Sequence, residues 1–290
     1  MNTENKIPPF DYEQAFSRNI GWVTPEEQIT LKNKKIAIAG MGGVGGLHLL
    51  TQLRLGLSNF HIADFDTFEL ANFNRQVGAT TETIGQPKAQ TLKKMAEAIN
   101  PNAKVELFAE GIDQNSIPDF LEGVDIFVDG LDFFELEARA QIFAACYQRN
   151  IPAITAAPLG MGCAHLIFMP NKMSFEEYFR FKNKTYTQQI IRFALGLSPK
   201  SPHKHYLILP DKINLKEKRG PSTIMGCQLC SSIAATEVLK ILLNRGPIYP
   251  APYFHIFDAY QQYAKRNKLW LGNQNPLQRL KAYWLEKQLK

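Results

Sequence analysis

Short apolar runs alternate with longer amphipathic segments over the first 170 residues of this chain. Short apolar runs are typical of strands covered on both faces, and longer segments that mix apolar and polar positions are typical of helices. The predicted strands lie at residues 35–39, 60–64, 104–109, 124–129, 152–156 and 162–169, and the predicted helices at 47–57, 86–99, 116–122 and 133–150. The alternation predicts an α/β fold: a doubly wound, mostly parallel sheet with a ligand at the carboxyl ends of its strands.

After residue 170 the pattern becomes richer in basic and aromatic residues. The predicted elements there are helices at 175–182, 185–195 and 227–243, a loop at 198–205, a strand at 253–258 and a basic arm at 265–290 that packs back on the protein. We therefore divide the chain into a helical N-terminal arm (1–31), a central α/β domain (32–170) and a basic α+β extension (171–290) on the same core.

A glycine-rich turn follows the first predicted strand. Its sequence, Gly40-Met-Gly-Gly-Val-Gly-Gly46, leads into a predicted helix, and the second strand ends on Asp64. An acid about twenty residues beyond such a turn is the spacing of a dinucleotide-binding βαβ unit. The glycines let backbone N–H groups and a helix N-terminus approach phosphate oxygens, because a Cβ would hold the phosphate off or forbid the turn. This stretch predicts nucleotide binding.

Composition is that of an ordinary globular protein, with 45% of the 290 residues apolar. No uninterrupted apolar run reaches the roughly 18 residues of a membrane-spanning helix, and residues 1–9 lack the apolar core of a secretion signal. These features predict a cytoplasmic protein with no membrane partner. Four cysteines in a chain of this length do not form a disulfide scaffold.

The net charge of +6 is unevenly distributed. Residues 1–170 carry 13 Lys and Arg against 20 Asp and Glu, whereas residues 171–290 carry 20 against 7. A basic second part attracts an acidic partner such as RNA or an acidic protein. The alternative is a solvated basic tail that only improves solubility, and the sequence leaves both interpretations open.

Polar residues after the second strand narrow the choice of nucleotide. The chain has no Gly-x4-Gly-Lys-Ser/Thr motif, so it is not a P-loop ATPase. It does supply Arg75 and Lys88 close to the predicted phosphate site. An enzyme that breaks a phosphoanhydride needs such cations, because negative charge grows on phosphate oxygens in the transition state. The alternatives are an NAD- or FAD-dependent oxidoreductase of the same fold and a non-catalytic nucleotide-binding scaffold.

The order of the motifs resembles that of the ThiF/MoeB/HesA adenylyltransferases, which are related to the adenylation domains of ubiquitin-activating enzymes. The resemblance covers roughly residues 12–170 and, more loosely, the helix at 227–243 and the strand after it. The motifs that carry it are Gly-x-Gly-Gly-x-Gly from Gly40, Asp64-x-Asp66, Asn72-x-x-Arg75-Gln76, Gly85-Gln-Pro-Lys88 and Asp129-Gly-Leu-Asp132. It implies that the central domain is a Rossmann-like, ATP-binding adenylation domain that converts a carboxylate into an acyl-adenylate and releases pyrophosphate.

The resemblance also implies roles for single residues. Asp64 would bind the ribose hydroxyls, and Asp132 would bind Mg²⁺, whose charge offsets that of the leaving pyrophosphate. Arg18, in Phe16-Ser-Arg-Asn-Ile20, would reach into the partner's site of a homodimer, where its planar fork suits phosphate oxygens. The residues expected at the nucleotide phosphates are Gly40, Gly42, Gly43, Gly45, Asn72, Arg75 and Lys88, and Asp66 is expected to bind the nucleotide or to form a turn.

Plainer interpretations compete with these assignments. Arg75 and Lys88 could be surface charges, and Asp132 could cap the helix that starts beside it. The substrate carboxylate would belong to the C-terminus of a ubiquitin-like or sulfur-carrier protein, or to a modified nucleoside of tRNA. The sequence does not decide between them.

The chain departs from the family at its cysteines. Many relatives hold a structural zinc with two Cys-x-x-Cys pairs, but this chain has one such pair, Cys227 and Cys230, at the start of a predicted helix. Because such a site normally needs four thiolate ligands, we expect no zinc and assign the pair to helix packing. Residues 171–226 contain no cysteine, so transfer of the acyl group to a thiol is not expected unless Cys227 or Cys230 serves.

Overall fold

The computed structural model describes residues 9–215 and 217–288. The strands are β1 (Lys35–Ala39), β2 (Asn59–Ala63), β3 (Lys104–Phe108), β4 (Ile126–Asp129), β5 (Ala153–Leu159), β6 (Gly162–Phe168), β7 (Tyr253–Asp258) and β8 (Tyr263–Lys268). The α-helices are α1 (Tyr12–Phe16), α2 (Pro25–Asn33), α3 (Gly45–Arg54), α4 (Lys88–Ile99), α5 (Ile117–Phe120), α6 (Leu136–Gln148), α7 (Phe175–Phe179), α8 (Tyr186–Leu197), α9 (Ile224–Leu242) and α10 (Pro276–Gln288).

All eight strands form one sheet in the order β3-β2-β1-β4-β5-β6-β7-β8. The strands from β3 to β5 in that order are parallel, and β6, β7 and β8 continue the sheet in antiparallel pairs. The predicted α/β fold with a doubly wound, mostly parallel sheet is therefore confirmed. The elements predicted before residue 260 are present, with ends that shift by no more than three residues.

Strand β1 shows how the sequence builds a hydrophobic core on each face of the sheet. Ile36 and Ile38 belong to one core, while Ala37 and Ala39 belong to the other, because successive side chains of a strand point to opposite faces. Helices α3, α4 and α9 cover the first core, and helices α5 to α8 cover the second. Burial on both faces explains the continuous apolar runs of the central strands.

Helix α9 is apolar overall, although polar residues interrupt its apolar runs. With 19 residues it is long and apolar enough, by length and composition alone, to cross a membrane. In this structure it packs against α3, β5 and β6, with Cys230, Ala234 and Val238 buried. Of its most apolar 18-residue stretch, 44% is buried inside the protein. A core helix passes the same test of length and composition.

The C-terminal arm predicted at 265–290 is instead a strand and a helix. Strand β8, Tyr-Ala-Lys-Arg-Asn-Lys, pairs with β7 alone and forms an edge of the sheet, so it lacks the apolar pattern of the inner strands. Helix α10 buries only Gln278 and Ala282. Because both elements are mostly exposed, their sequences carry little hydrophobic periodicity. The predicted loop at 198–205 likewise contains a 3₁₀-helix, Pro202–Tyr206.

The N-terminal arm packs near the amino ends of the parallel strands. Residues 1–8 of the predicted arm lie outside the described residues. The Tyr12 hydroxyl donates to the Gly56 carbonyl oxygen at 2.6 Å, and Asn19 Nδ2 donates to the Leu55 carbonyl at 3.1 Å. Both carbonyls follow the C-terminal end of α3. Helix α3 begins at the glycine turn, at the carboxyl end of β1, and runs back along the sheet. The arm therefore lies at the end of the sheet opposite to that turn.

Candidate nucleotide site

The strand order reverses between β1 and β4, and the candidate site lies at the carboxyl ends of these two strands. In open α/β sheets a crevice forms at this position because the connections leave the two strands in opposite directions. Here the glycine turn leaves β1, and the loop that carries Asp132 leaves β4. The fold therefore brings two of the predicted motifs together.

The glycine turn after β1 and the loop after β4 approach each other so closely that their backbones are in contact. Gly40 has φ +85°, and a Cβ on it would overlap the carbonyl oxygen of Gly130. A Cβ on Gly45 would likewise overlap the Gly40 carbonyl. Helix α3 starts at Gly45. Within the described residues, no side chain caps the start of α3, as a phosphate site at a helix N-terminus requires.

Asp64 braces the glycine turn from the next strand. One of its carboxylate oxygens accepts the N–H of Met41 at 2.5 Å and the other accepts the N–H of Asp66 at 2.8 Å. Burial raises the pKa of Asp64, while these two backbone bonds and the charge of Lys88 act in the opposite direction. Each carboxylate oxygen has a second lone pair, so the predicted ribose contact is compatible with this bracing.

Lys88 is buried and forms an ion pair within the site. It is the first residue of α4, and its Nζ lies 2.9 Å from a carboxylate oxygen of Asp66. The Lys88 side chain is 8% exposed, against 54% for Asp66. The interpretation of Lys88 as a surface charge is therefore wrong. Asp66 lies in the turn after β2 and also holds Lys88, so its two predicted roles are not exclusive.

Arg75 lies beside the glycine turn, together with a residue that was not predicted there. A Cβ on Gly43 would be 3.5 Å from Arg75 Cγ and 3.1 Å from the sulfur of Cys227. Arg75 Nη1 donates to the Ala71 carbonyl at 3.0 Å and to Asn74 Oδ1 at 2.9 Å. These bonds hold the guanidinium group against its own loop, beside the glycine turn.

Asn72 has a structural contact in this loop. Its side-chain oxygen accepts the N–H of Glu69 at 2.9 Å and caps the 3₁₀-helix Leu70–Asn72. The side chain is also buried, with the residue only 8% exposed. The structure thus places Asn72 beneath the loop that carries Arg75.

Asp132 is exposed in the loop after β4. Its Oδ1 accepts the N–H of Phe134 at 3.0 Å, while α6 begins only at Leu136, with Glu135 as an N-cap that makes no side-chain bond. The alternative that Asp132 caps the helix is therefore wrong. The carboxylate closes a short turn and leaves its second oxygen towards solvent.

Arg139 organises this loop and was missed in the sequence. It is buried, its Nε donates to Asp129 at 2.7 Å, and its Nη2 donates to the carbonyls of Leu131 at 2.8 Å and Asp132 at 3.0 Å. Its guanidinium also lies 4.6 Å from the centre of the Phe193 ring. A single basic residue on the apolar face of the predicted helix, seven positions after Asp132, was the available signal.

Two residues shortly before α9 contact the two loops beside the crevice. The Ser222 carbonyl accepts the side-chain N–H of Asn74 at 2.9 Å. Lys218 pairs with Glu135 at 3.0 Å, in the loop that carries Asp132. Residues 217–222 are thus joined to both loops.

Arg18 lies outside the crevice of its own chain. It is exposed in the 3₁₀-helix Ser17–Asn19, and Asn19 is anchored beyond the C-terminal end of α3. The ten residues of α3 separate this point from the glycine turn, a length of about 15 Å. The structure therefore places Arg18 away from the glycine turn of its own chain, whereas the elements that carry the other predicted residues border that turn.

The cysteine pair is buried in α9. Burial raises the pKa of Cys227 and of Cys230, and Cys230 also contacts Cys163. No cluster of three or more His, Cys, Asp or Glu side chains suited to a metal ion occurs within residues 9–215 and 217–288. The predicted packing role therefore agrees with the position of both thiols.

Comparison with known proteins identifies a matching family and several relatives. A model of the ThiF family matches residues 16–279. The tRNA threonylcarbamoyladenosine dehydratase of Bacillus subtilis is 31% identical over 151 residues, which cover 52% of this chain and 57% of the relative. The sulfur carrier protein ThiS adenylyltransferase of Escherichia coli is 29% identical over 143 residues, which cover 49% and 56%. The chain thus spans little more than half the length of these relatives.

The fold recurs in solved structures. The crystal structure of Escherichia coli MccB with ATP superimposes with a TM-score of 0.64 at 20% identity, and the match covers 91% of this chain and 72% of that one. The similarity therefore extends through the basic C-terminal extension, beyond the part matched by the curated relatives.

Proposed function

The chain belongs to the ThiF family, and on that premise we propose that it is an ATP-dependent adenylyltransferase. It would activate a carboxylate as an acyl-adenylate and release pyrophosphate. The observation that carries this proposal is that Arg75, the Lys88–Asp66 pair and the loop of Asp132 all lie on elements that border the glycine turn. Because the curated relatives are matched over about half their length, activity and substrate are both proposals.

In this reaction, the site must stabilise the negative charge that grows on the phosphate oxygens in the transition state. A carboxylate oxygen of the substrate attacks the α-phosphorus of ATP, the bond from that phosphorus to the bridging oxygen breaks, and pyrophosphate leaves. The N–H groups at the start of α3 and the guanidinium of Arg75 are placed to hold the phosphates. Lys88 has three N–H donors and uses one on Asp66, so it can also meet a phosphate oxygen.

The residues present fit a magnesium ion held jointly with the nucleotide. Mg²⁺ keeps several waters and is usually bound by one or two carboxylates together with substrate phosphates. The exposed carboxylate of Asp132 would supply one such ligand from the loop whose Gly130 packs against Gly40 of the glycine turn. When bound, the ion would offset negative charge on the phosphates. This fit also explains why the described residues need no cluster of three ligands.

We include a homodimer in the proposal. Arg18 is exposed and lies at the edge of the sheet opposite to its own crevice, which suits a contact with the site of a partner subunit. The substrate is either the C-terminus of a sulfur-carrier or ubiquitin-like protein or a carboxylate on a tRNA nucleoside. Relatives named for each of these substrates are among those that match.

Two measurements test the activity. Isothermal titration should show binding of ATP–Mg²⁺ and none of NAD; the reverse would favour the oxidoreductase. ATP–pyrophosphate exchange, measured with a sulfur-carrier protein or with tRNA that bears threonylcarbamoyladenosine, should fall by about 10²–10³ in Lys88→Ala and in Asp132→Ala. The matched control is Lys94→Ala, at an exposed lysine of α4, which should keep full exchange.

The non-catalytic scaffold is the competing outcome. It predicts that ATP binds but that no candidate carboxylate supports exchange. Full exchange in both Lys88→Ala and Asp132→Ala would instead remove these two residues from the mechanism.

A further inference from the structure

A second cavity lies on the basic C-terminal extension, away from the glycine turn. Its volume is about 480 Å³, within the usual range of ligand pockets. Three separate parts of the chain form its walls: the segment after α8 with Lys200 and His205, the β7–β8 hairpin with Gln261 and Lys265, and α10 with Lys281. None of the residues that line it has been given a role above.

The cavity gathers positive charge that no carboxylate neutralises. Its lining includes Lys200, Lys265 and Lys281 but no Asp or Glu. Among the described residues, no carboxylate oxygen lies within 4.0 Å of the Nζ of these three lysines, and all three are exposed. Clustered charges of one sign in a concave surface raise the local concentration of oppositely charged ligands. The cavity therefore suits an anion.

Hydrogen bonds hold the walls in place. Lys281 Nζ donates to the Pro199 carbonyl at 2.8 Å and so ties α10 to the segment after α8. Gln261 Nε2 donates to the Pro202 carbonyl at 3.0 Å and ties the hairpin to the same segment. The lysines are thus brought together by tertiary contacts between distant parts of the chain.

Hydrogen bonds connect the segment that lines the cavity with the start of α9. Tyr206, which follows His205, donates its hydroxyl hydrogen to Asp258 at 2.8 Å and accepts the N–H of Met161 in the β5–β6 turn at 2.8 Å. In the same turn, the Gly160 carbonyl accepts the hydroxyl of Thr223 at 2.8 Å. Thr223 is the N-cap of α9, the helix that packs against the glycine turn. The segment that lines the cavity is thus fixed, through the β5–β6 turn, to the helix beside the glycine turn.

Exposed aromatic rings flank the lysines. Tyr260 is next to Gln261 in the hairpin and is 62% exposed, and Trp284 is one helical turn from Lys281 and is 58% exposed. Unstacked RNA bases stack on such rings, and lysines contact the phosphates between them. A surface of Asp and Glu carboxylates would use the lysines but offers no flat ring to stack on these side chains, whereas every RNA base does.

We propose that this cavity binds backbone phosphates of an RNA whose modified nucleoside carries the carboxylate that is adenylated. The inference rests on the proposed function and selects RNA over a sulfur-carrier protein as the substrate class.

The test uses the full chain and a fluorescein-labelled, single-stranded oligoribonucleotide, with binding followed by fluorescence anisotropy between 50 and 200 mM salt. The double variant Lys200→Gln/Lys265→Gln should bind at least about tenfold more weakly at 50 mM salt. Its salt slope should fall by about 1.4, since each phosphate contact on a single strand contributes about 0.7. The control Lys94→Gln/Lys104→Gln removes the same charge at two exposed lysines elsewhere and should lose less than twofold.

Equal losses in the two double variants, or no binding of the oligoribonucleotide by the unchanged protein, would overturn the inference. So would a loss of binding to a purified sulfur-carrier protein, rather than to RNA, in the cavity variant. ATP binding is measured in parallel and should not change in either double variant, because neither alters the crevice. An absence of ATP binding in the unchanged protein would refute the proposed function, whereas the RNA measurements decide the role of the cavity.

Discussion

Replacement of Arg139 tests whether the loop that carries Asp132 is held by a buried charge. In Arg139→Met, an apolar side chain of similar length replaces the guanidinium group. The carboxylate of Asp129, whose side chain is 2% exposed, then loses its partner, and the carbonyls of Leu131 and Asp132 lose their donor. Removing one partner of a buried ion pair costs about 3–5 kcal/mol, because a charge stays buried without compensation.

The expected loss converts into a measurable shift in melting temperature. The entropy of unfolding is about 2.1 cal/mol/K per residue, so a chain of 290 residues has about 0.6 kcal/mol/K. The melting temperature of Arg139→Met should therefore fall by about 5–8 °C in calorimetry. Arg149→Met, at the C-cap of the same helix, is the matched control. Its side chain is exposed and, among the described residues, donates to the Pro118 carbonyl alone, so the loss should stay below about 1 kcal/mol.

A second variant separates loss of stability from loss of positioning. Asp129→Asn/Arg139→Met removes the buried charge as well, so the free energy of unfolding should recover by about 2 kcal/mol. The loop carbonyls still lack their donor, and ATP–pyrophosphate exchange should remain at least about tenfold below that of the unchanged protein. A single variant as stable as the control, or full exchange in the double variant, would refute the argument.

Three further predictions concern other parts of the chain. Gly43→Ala should weaken ATP binding by about tenfold or more in titration calorimetry, because the new Cβ lies 3.1 Å from the Cys227 sulfur, and Cys227→Ala should restore part of the affinity. Mixed subunits of inactive Arg18→Ala and inactive Asp132→Ala should regain part of the exchange activity if Arg18 acts across a homodimer. His48 is fully buried in α3 and its pKa is lowered to about 3 by burial, so the unfolded state binds a proton first as the pH falls below about 6.5. Stability is then lost towards acid, and urea unfolding should show His48→Leu losing about 2 kcal/mol less than the unchanged protein between pH 7 and 5.

Each of these predictions has a result that contradicts it. For Gly43, the contradiction is an alanine variant with unchanged affinity, or a double variant that is no better than the single one. For Arg18, it is a mixture without any recovered activity although the two subunits associate. For His48, it is an equal dependence of stability on pH in the variant and in the unchanged protein.

The nucleotide fold could be predicted from the sequence because its signals are local. The strand β1, the glycine turn and α3 are contiguous, and the burial of both sheet faces leaves apolar runs that are easy to recognise. The motif residues after β2 are also close in sequence, and the strand order places them beside the turn. The resemblance to a known family added their expected roles, and the structure places the elements that carry them, except the one with Arg18, around the glycine turn, although the Asn72 side chain lies beneath its loop.

The elements at the edge of the sheet, β8 and α10, have weaker hydrophobic patterns in the sequence. Strand β8 and helix α10 bury few side chains, so their sequences resemble those of a solvated basic tail. The sequence therefore predicted a charged arm, and the pairing of β8 with β7 decided otherwise.

By itself, the sequence determined the α/β class, the glycine turn and the identity of the cations that surround it, because short-range spacing and hydrophobic period are sufficient for these. Only the tertiary structure decided which distant side chains meet. It joined Arg139 to the loop of Asp132, set Cys227 under Gly43 and gathered three lysines from separate elements into one cavity. Contacts between residues far apart in the chain arise from the packing of complete elements, and no local pattern records them.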